Sequence, residues 1–125
     1  MSKYETDQHF SSQLDYDKSV LRTLKDSNHI LLELNTTQTS LIHGALMLSG
    51  EAGELVDLIK KHTMYSKKLD IDEVINEMGD VEYALSVIRQ ALKISREEVL
   101  LANIEKLEAR HPTGYTPSFY TNQVE

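Results

Sequence analysis

Apolar side chains recur at spacings of three and four residues along most of the chain, and the alternation typical of strands is hard to find. This spacing predicts α-helices, because it places apolar groups on one face of a 3.6-residue turn. Both prolines, Pro112 and Pro117, lie near the C-terminus, which leaves the strongest helix breaker out of the rest of the chain. The pattern therefore predicts an all-α chain, an antiparallel helical bundle of four main helices.

Apolar periodicity and stop signals place these helices at about residues 16–25, 36–64, 70–92 and 95–110. The third and fourth open with Asp-Ile-Asp-Glu and Ser-Arg-Glu-Glu, which are typical of a capping box. The stretch 27–35 is ambiguous, because its run Ile-Leu-Leu fits either a helical turn or a buried connection. We expect residues 1–14 to form a polar N-terminal arm, residues 15–114 one domain, and residues 115–125 a C-terminal tail.

Composition narrows the class of protein. The 125 residues suffice for one domain, and 40% hydrophobic with 26% charged residues is typical of a soluble globular protein. A net charge of −7 disfavours nucleic acid or an anionic membrane surface as the main partner. Without cysteine, disulfides, thiolate zinc sites and cysteine nucleophiles are excluded. The N-terminus does not resemble a signal peptide and no stretch could span a bilayer, so we expect a cytoplasmic protein.

Two predicted helices each carry an acidic i, i+3 pair beside an apolar stripe. The pairs are Glu51 with Glu54 and Glu77 with Asp80. The stripes are Leu41, Ala45, Leu48, Ala52, Leu55 and Ile59 on the second helix, and Val74, Met78, Val81, Leu85, Ile88 and Leu92 on the third. Both pairs lie at the same angular offset from their stripe, among apolar neighbours. If the two helices pack side by side, four carboxylates converge in a partly buried cleft.

Carboxylates gathered in such a cleft need cations to neutralise them. Oxygen ligands without Cys or a matching His favour a hard ion, so we predict Mg²⁺, for which Mn²⁺ can substitute. Surface charge is the simpler alternative, because acidic i, i+3 pairs also occur at Asp70/Glu73 and Glu105/Glu108. A di-iron bundle has similar geometry, but it requires Glu-x-x-His on two helices, and the chain does not have that pair of motifs.

Three glycines, Gly50, Gly53 and Gly79, lie inside the same helices next to the acids. Each costs up to about 1 kcal/mol relative to alanine in a helix interior. Two interpretations account for that cost: close packing between helices, or the approach of a ligand or its metal to the backbone.

The fourth predicted helix carries Asn103, Lys106 and Arg110 on one face. These donors suit phosphate oxygens, although the helix dipole alone also favours cations near a C-terminus. His43 precedes Glu51 by just over two turns and fits either a base or sugar contact or helix packing. Carboxylate-held Mg²⁺ beside a cationic face suits chemistry on a polyphosphate. The chain has no P-loop sequence, so a P-loop enzyme is excluded.

These motifs resemble the MazG-like all-α nucleotide pyrophosphohydrolases. The resemblance rests on Gly-Glu-Ala-Gly-Glu-Leu at 50–55, Glu-Met-Gly-Asp-Val at 77–81 and Asn-Ile-Glu-Lys-Leu-x-x-Arg at 103–110. The first two contain the Glu-x-x-Glu and Glu-x-x-Asp pairs that mark this superfamily. The resemblance extends over about residues 41–114.

The resemblance implies Mg²⁺-dependent hydrolysis of a nucleoside triphosphate (NTP or dNTP) to the monophosphate and pyrophosphate, by attack of activated water at the α-phosphorus. The metal ligands and catalytic groups carry over to Glu51, Glu54, Glu77 and Asp80. The phosphate or sugar contacts carry over to Asn103, Lys106 and Arg110. It also implies a homodimer or homotetramer, in which oligomerisation completes the bundle and the site. The alternatives are a phosphoribosyl-ATP pyrophosphohydrolase and a non-catalytic helical oligomer that binds nucleotide or protein.

Overall fold

The computed structural model describes residues 7–115, with side chains from residue 15 onward. Within this range all regular structure is helical, and no strand occurs. The helices are α1 (Asp7–Thr23), α2 (Ser27–Glu33), α3 (Thr36–Tyr65), α4 (Ile71–Leu92) and α5 (Arg96–Arg110). The all-α prediction is confirmed, and α2 shows that the ambiguous stretch contains a short helix. In the described part of the chain, none of the helices has the length and apolar character needed to cross a bilayer.

The N-terminal helix differs from its predicted span. α1 begins at Asp7 and ends at Thr23, so the helix includes part of the predicted polar arm. Apolar periodicity could not indicate this start, because most residues before Tyr16 are polar and carry no apolar stripe. Residues 1–6 and 116–125 lie outside the described residues, and with them most of the predicted C-terminal tail.

Contacts divide the chain into two compact units, residues 1–35 and residues 36–125. The first unit contains α1 and α2. The Asp26 side chain caps α2 by accepting hydrogen bonds from the backbone N–H groups of Asn28 and His29, at 2.8 and 3.2 Å. Lys25 and Glu33 form an exposed ion pair across α2. No residue between 15 and 35 is buried, so the described side chains of this unit form no core of their own.

The second unit contains α3, α4 and α5, and the predicted residues cap α4 and α5, although the structure shows only the Asp70 half of the capping box predicted for α4. The Asp70 carboxylate caps α4 by accepting from the backbone N–H groups of Asp72 and Glu73, at 2.9 and 3.3 Å. Ser95 and Glu98 form both halves of the predicted capping box of α5. This arrangement lowers the pKa of the Glu98 carboxyl, because the backbone N–H of Ser95 and then its hydroxyl donate to the carboxylate.

α3 and α4 pack against each other as an antiparallel pair joined by the loop at residues 66–70. Gly44, early in α3, faces Ile88, late in α4. Near the loop, the end of α3 lies beside the start of α4, since Lys61 interacts electrostatically with Glu73. Gly44 and Ala84 are buried, whereas no described residue of α5 is. Among the described residues of the second unit, this pair makes the only extensive contact between helices.

The contact face of α4 is rotated away from the predicted apolar stripe. Buried Ala84 shares a helical face with half-buried Glu77, Val81 and Ile88, so an acidic residue lies on the contact face itself. Met78, predicted to be in the core, is 54% exposed. The expectation that the acids lie only beside the core face is therefore wrong for Glu77. The reason is that α4 is apolar over a wider arc than one neighbouring helix can cover.

Apolar side chains that the packing of α3 and α4 leaves uncovered form what we call the outer apolar surface. It comprises exposed residues of both helices: Val56, Ile59, Ile71, Ile75 and Met78. α5 also exposes a row of apolar side chains: Val99, Leu100, Leu101, Ile104 and Leu107. Exposed apolar side chains in this number are typical of helices that pack against a partner. The described chain thus does not by itself complete the predicted four-helix bundle.

Gly44→Ala will lower the thermal unfolding temperature. A Cβ at this position would lie 2.7 Å from Cγ1 of Ile88 and 3.3 Å from Cγ1 of Val87. Alanine is favoured over glycine in helices by about 1 kcal/mol, but overpacking costs about 1–3 kcal/mol, so the clash prevails. Gly50→Ala is the matched control, because its added Cβ would meet no described atom of another helix within 4 Å, and it should raise the temperature. Stabilisation by both variants, measured by circular dichroism, would contradict the packing at Gly44.

Candidate active site

Antiparallel packing brings both acidic pairs to one place. One carboxylate oxygen from each of Glu51, Glu77 and Asp80 lies within 4.8 Å of the other two. The charge of Glu54, one turn after Glu51 on α3, acts on the Glu77 carboxyl, so Glu54 lies beside the other three acids. The four acids that the sequence singled out therefore form a single group, which we call the acidic cluster.

The acidic cluster lies across the boundary between the helix contact and solvent. Glu51 and Glu77 are half-buried, and we call them the seam acids, whereas Glu54 and Asp80 are exposed, and we call them the rim acids. Oε2 of Glu77 is shielded from solvent and has no hydrogen-bond partner among the described residues. A buried carboxylate oxygen without a donor or a cation is unfavourable, so this atom has the environment of a ligand oxygen.

Burial raises the pKa of the Glu77 carboxyl above its ordinary value. The negative charge of Glu54 and a hydrogen bond with its carboxyl group raise this pKa further, followed by the charges of Asp80 and Glu51. All these causes disfavour the ionised form of Glu77. Without a cation, Glu77 thus favours proton uptake, which is the response expected of a partly buried carboxylate among other anions.

The donor set of the acidic cluster fits a hard divalent cation. All four side chains offer oxygen ligands, and the group of described residues close enough to share an ion contains no histidine. Mg²⁺ and Mn²⁺ are bound in proteins by carboxylates, with the remaining positions filled by water or phosphate oxygens. The exposed rim acids leave one side of the cluster open for such ligands.

The three glycines beside the acids have open space around them. A Cβ added at Gly50, Gly53 or Gly79 would meet no described atom within 4 Å. Close packing between helices of one chain, one of the two interpretations of these glycines, therefore does not explain them. What remains is the approach of a ligand or of a second chain to the backbone of α3 and α4.

The donors on α5 are not packed over the acidic cluster of the same chain. Asn103, Lys106 and Arg110 are all exposed, and α5 makes no extensive contact with α3 or α4 in the described residues. Asn103 and Lys106 line an open groove of about 510 Å³ together with apolar residues of the same helix. Their predicted phosphate contacts remain a prediction, since one chain does not bring them to the acids.

His43 is exposed on α3 and does not belong to the acidic cluster. It precedes Glu51 by eight residues, which is about 12 Å along a helix axis. This separation is too long for a shared metal ion but is compatible with a contact to a base or sugar. Its role stays a prediction.

The sequence indicates no role other than capping for one acid near the site. Glu73 lies one turn before Glu77, and its charge interacts with Lys61 across the helix pair. Lys60 and Lys61 both pair with Asp57 on α3, and hydrogen bonds from these lysines lower the pKa of the Asp57 carboxyl, that from Lys61 most. The spacing of Glu73, Glu77 and Asp80 on one face of α4 is the sequence signal that could have indicated the longer acidic row.

The metal-free protein will lose a contribution to stability as the pH rises above the ordinary carboxyl pKa of 4.5. Because the pKa of Glu77 is higher in the folded chain, its contribution is fully present below the unfolded pKa. It is lost as the pH rises through the folded pKa. Asp57 and Glu98 have lowered pKa values, so their contributions change only on acidification below their ordinary pKa values.

The measurement is thermal unfolding in a chelating buffer from about pH 5 to about pH 8. Glu77→Gln removes the titrating group at nearly constant volume, and its profile should be flatter than that of the unmodified chain. Identical pH profiles for the two proteins would show that Glu77 titrates normally.

The family-model comparison matches the part of the chain that contains this site. The model of the MazG nucleotide pyrophosphohydrolase domain matches residues 38–115, which include all four acids and the three donors on α5. No curated protein and no solved structure matches the chain. The match confirms the resemblance found in the motifs and extends over more than half of the sequence. The chain therefore belongs to the family of MazG nucleotide pyrophosphohydrolase domains.

Proposed function

We propose that the chain hydrolyses a nucleoside triphosphate, either NTP or dNTP, to the nucleoside monophosphate and pyrophosphate with Mg²⁺ as the cofactor. The observation that carries the proposal is the convergence of four carboxylates from α3 and α4 within the family-matched region. Membership of a nucleotide pyrophosphohydrolase family supports the reaction class. The oxygen-only donor set and the unpartnered oxygen of Glu77 support the divalent cation.

The residues of the acidic cluster have different places in this reaction. Glu51, Glu54, Glu77 and Asp80 would hold the cation, which supplies polarisation of phosphate oxygens and a lowered pKa of water. We assign to Glu54, the glutamate on the exposed rim, the role of accepting a proton from the attacking water. Water oxygen attacks the α-phosphorus, the bond from this phosphorus to the bridging oxygen breaks, and pyrophosphate leaves.

A second copy of the chain completes the site in this proposal. α5 exposes both its apolar row and its donors, and the outer apolar surface of α3 and α4 is likewise uncovered. Packing α5 of one copy onto α3 and α4 of another would bury apolar surface, which stabilises association by about 25 cal/mol per Å² removed from water. It would also bring Asn103, Lys106 and Arg110 to the phosphates held by the partner's acids. We propose a homodimer or homotetramer, with His43 as a base or sugar contact.

The direct test is incubation of the purified protein with Mg²⁺ and a panel of ribo- and deoxyribonucleoside triphosphates. Chromatography should show equal amounts of monophosphate and pyrophosphate, because cleavage occurs at the α-phosphorus. Orthophosphate in place of pyrophosphate, or no turnover on the whole panel, would contradict the proposal. Turnover of phosphoribosyl-ATP alone would select that alternative substrate.

Glu54→Gln should lower kcat by at least about 100-fold, since general-base catalysis contributes 10²–10⁴-fold in enzymes. Glu105→Gln is the matched control, because Glu105 and Glu108 form an exposed acidic pair of the same spacing on α5. It should leave kcat and KM unchanged. Equal activity of Glu54→Gln and the control would favour a non-catalytic binding protein.

Mixing two inactive variants tests whether the site is shared between subunits. Glu54→Gln damages the acidic cluster and Lys106→Ala the donors on α5, so each homo-oligomer should turn over slowly. If each site combines both elements from different copies, refolding an equal mixture should restore activity at about a quarter of the sites in a dimer. Failure of the mixture to exceed the average of the separate variants would place the donors and acids of each site on one chain.

A further inference from the structure

We infer that the divalent cation also stabilises the packing of α3 against α4, because the seam acids oppose this packing until a cation neutralises them. The inference rests on the proposed function only for the place of the cation. It concerns the folding of the metal-free chain, which needs no nucleotide and no turnover. The acidic cluster is then a conformational device as well as a catalytic centre.

The position of the seam acids is the first reason. Glu77 shares the face of α4 that carries the buried Ala84, and Glu51 lies opposite it on α3. Both are half-buried at the only extensive helix contact among the described residues of the second unit. Two like charges on opposing helices at a partly desolvated contact destabilise that contact. Whatever weakens this contact therefore weakens the unit that carries the site.

The lack of local compensation is the second reason. The described ion pairs of lysine and arginine involve Glu33, Asp57 and Glu82, and none of these acids belongs to the cluster. Oε2 of Glu77 has neither solvent nor a donor among the described residues. The seam therefore contains negative charge that no described cationic side chain neutralises.

The two classes of acids should respond differently to neutralisation. Solvent hydrates the rim acids, so loss of the charge of a rim acid should stabilise the metal-free chain less than loss of the charge of a seam acid, although the charges of Glu54 and Asp80 also act on Glu77. The seam acids are partly desolvated, so removal of one charge should relieve the contact. All four would still contribute to cation binding. Position, rather than membership of the cluster, thus decides the effect on the metal-free fold.

Thermal unfolding of the full chain without nucleotide tests this inference. The unmodified chain should unfold at a temperature that rises with free Mg²⁺, because a ligand that binds only the folded state stabilises it. Glu77→Gln should unfold at a higher temperature than the unmodified chain in chelator and should lose most of the Mg²⁺ response. Asp80→Asn should raise the unfolding temperature in chelator less than Glu77→Gln does, and it should also lose most of that response.

Two further variants keep the outcome interpretable. Glu51→Gln repeats the seam substitution on α3 in case Glu77→Gln does not fold, and Glu105→Gln controls for the change in net charge. A lower unfolding temperature for both seam variants in chelator would overturn the inference. Equal stabilisation by seam, rim and control variants would overturn it as well, because net charge would then explain the effect.

Activity and stability separate the two proposals. If the protein is active but its unfolding temperature does not respond to Mg²⁺, the inference that the cation stabilises the helix pair is rejected, whereas the proposed function is supported. The opposite outcome is an unfolding temperature that depends on Mg²⁺, and loses this dependence on seam substitution, in a protein that releases no pyrophosphate from any nucleotide. This outcome would reject the proposed function and support the stabilisation of the helix pair by the cation. Amide hydrogen exchange gives an independent readout, since Mg²⁺ should slow exchange in α3 and α4 more than in α1.

Discussion

The concentration of carboxylates at the contact between α3 and α4 is the constraint on which the rest of the structure depends. At one end of this contact, small residues let the helices approach closely, with Gly44 against Ile88. Nearer the middle, Glu51 and Glu77 occupy positions that a stable helix pair would normally give to apolar side chains. The protein therefore gives up packing energy at the place where its chemistry is concentrated, as active sites commonly do.

The same constraint connects the site to the uncovered surfaces. A helix pair that carries an acidic cluster on one side has to gain its stability from the other, and the outer apolar surface lies there exposed. α5 likewise carries an apolar row that no described residue buries. A second copy would cover these surfaces and supply the donors missing from the acidic cluster, so association and catalysis would depend on the same contacts.

Much of the helical layout could be predicted because its signals are local. The start of α4 at Asp70 and that of α5 at Ser95 follow from side chains that bond backbone groups two or three residues away. The four acids could be singled out because their spacing repeats on two helices. The start of α1 at Asp7 could not be predicted, since polar residues leave no periodic apolar pattern.

The sequence by itself determined the helices, the acids beside their apolar stripes and the family, because each depends on residue types at short or fixed spacing. Only the tertiary structure decided that Glu77 lies on the contact face with a shielded oxygen, while Met78 is left exposed. It also separated the donors of α5 from the acids of the same chain. The physical reason is that the apolar residues of α4 extend over a wider arc than one neighbouring helix covers, so its sequence permits more than one contact face. The close approach at Gly44 selects one of them.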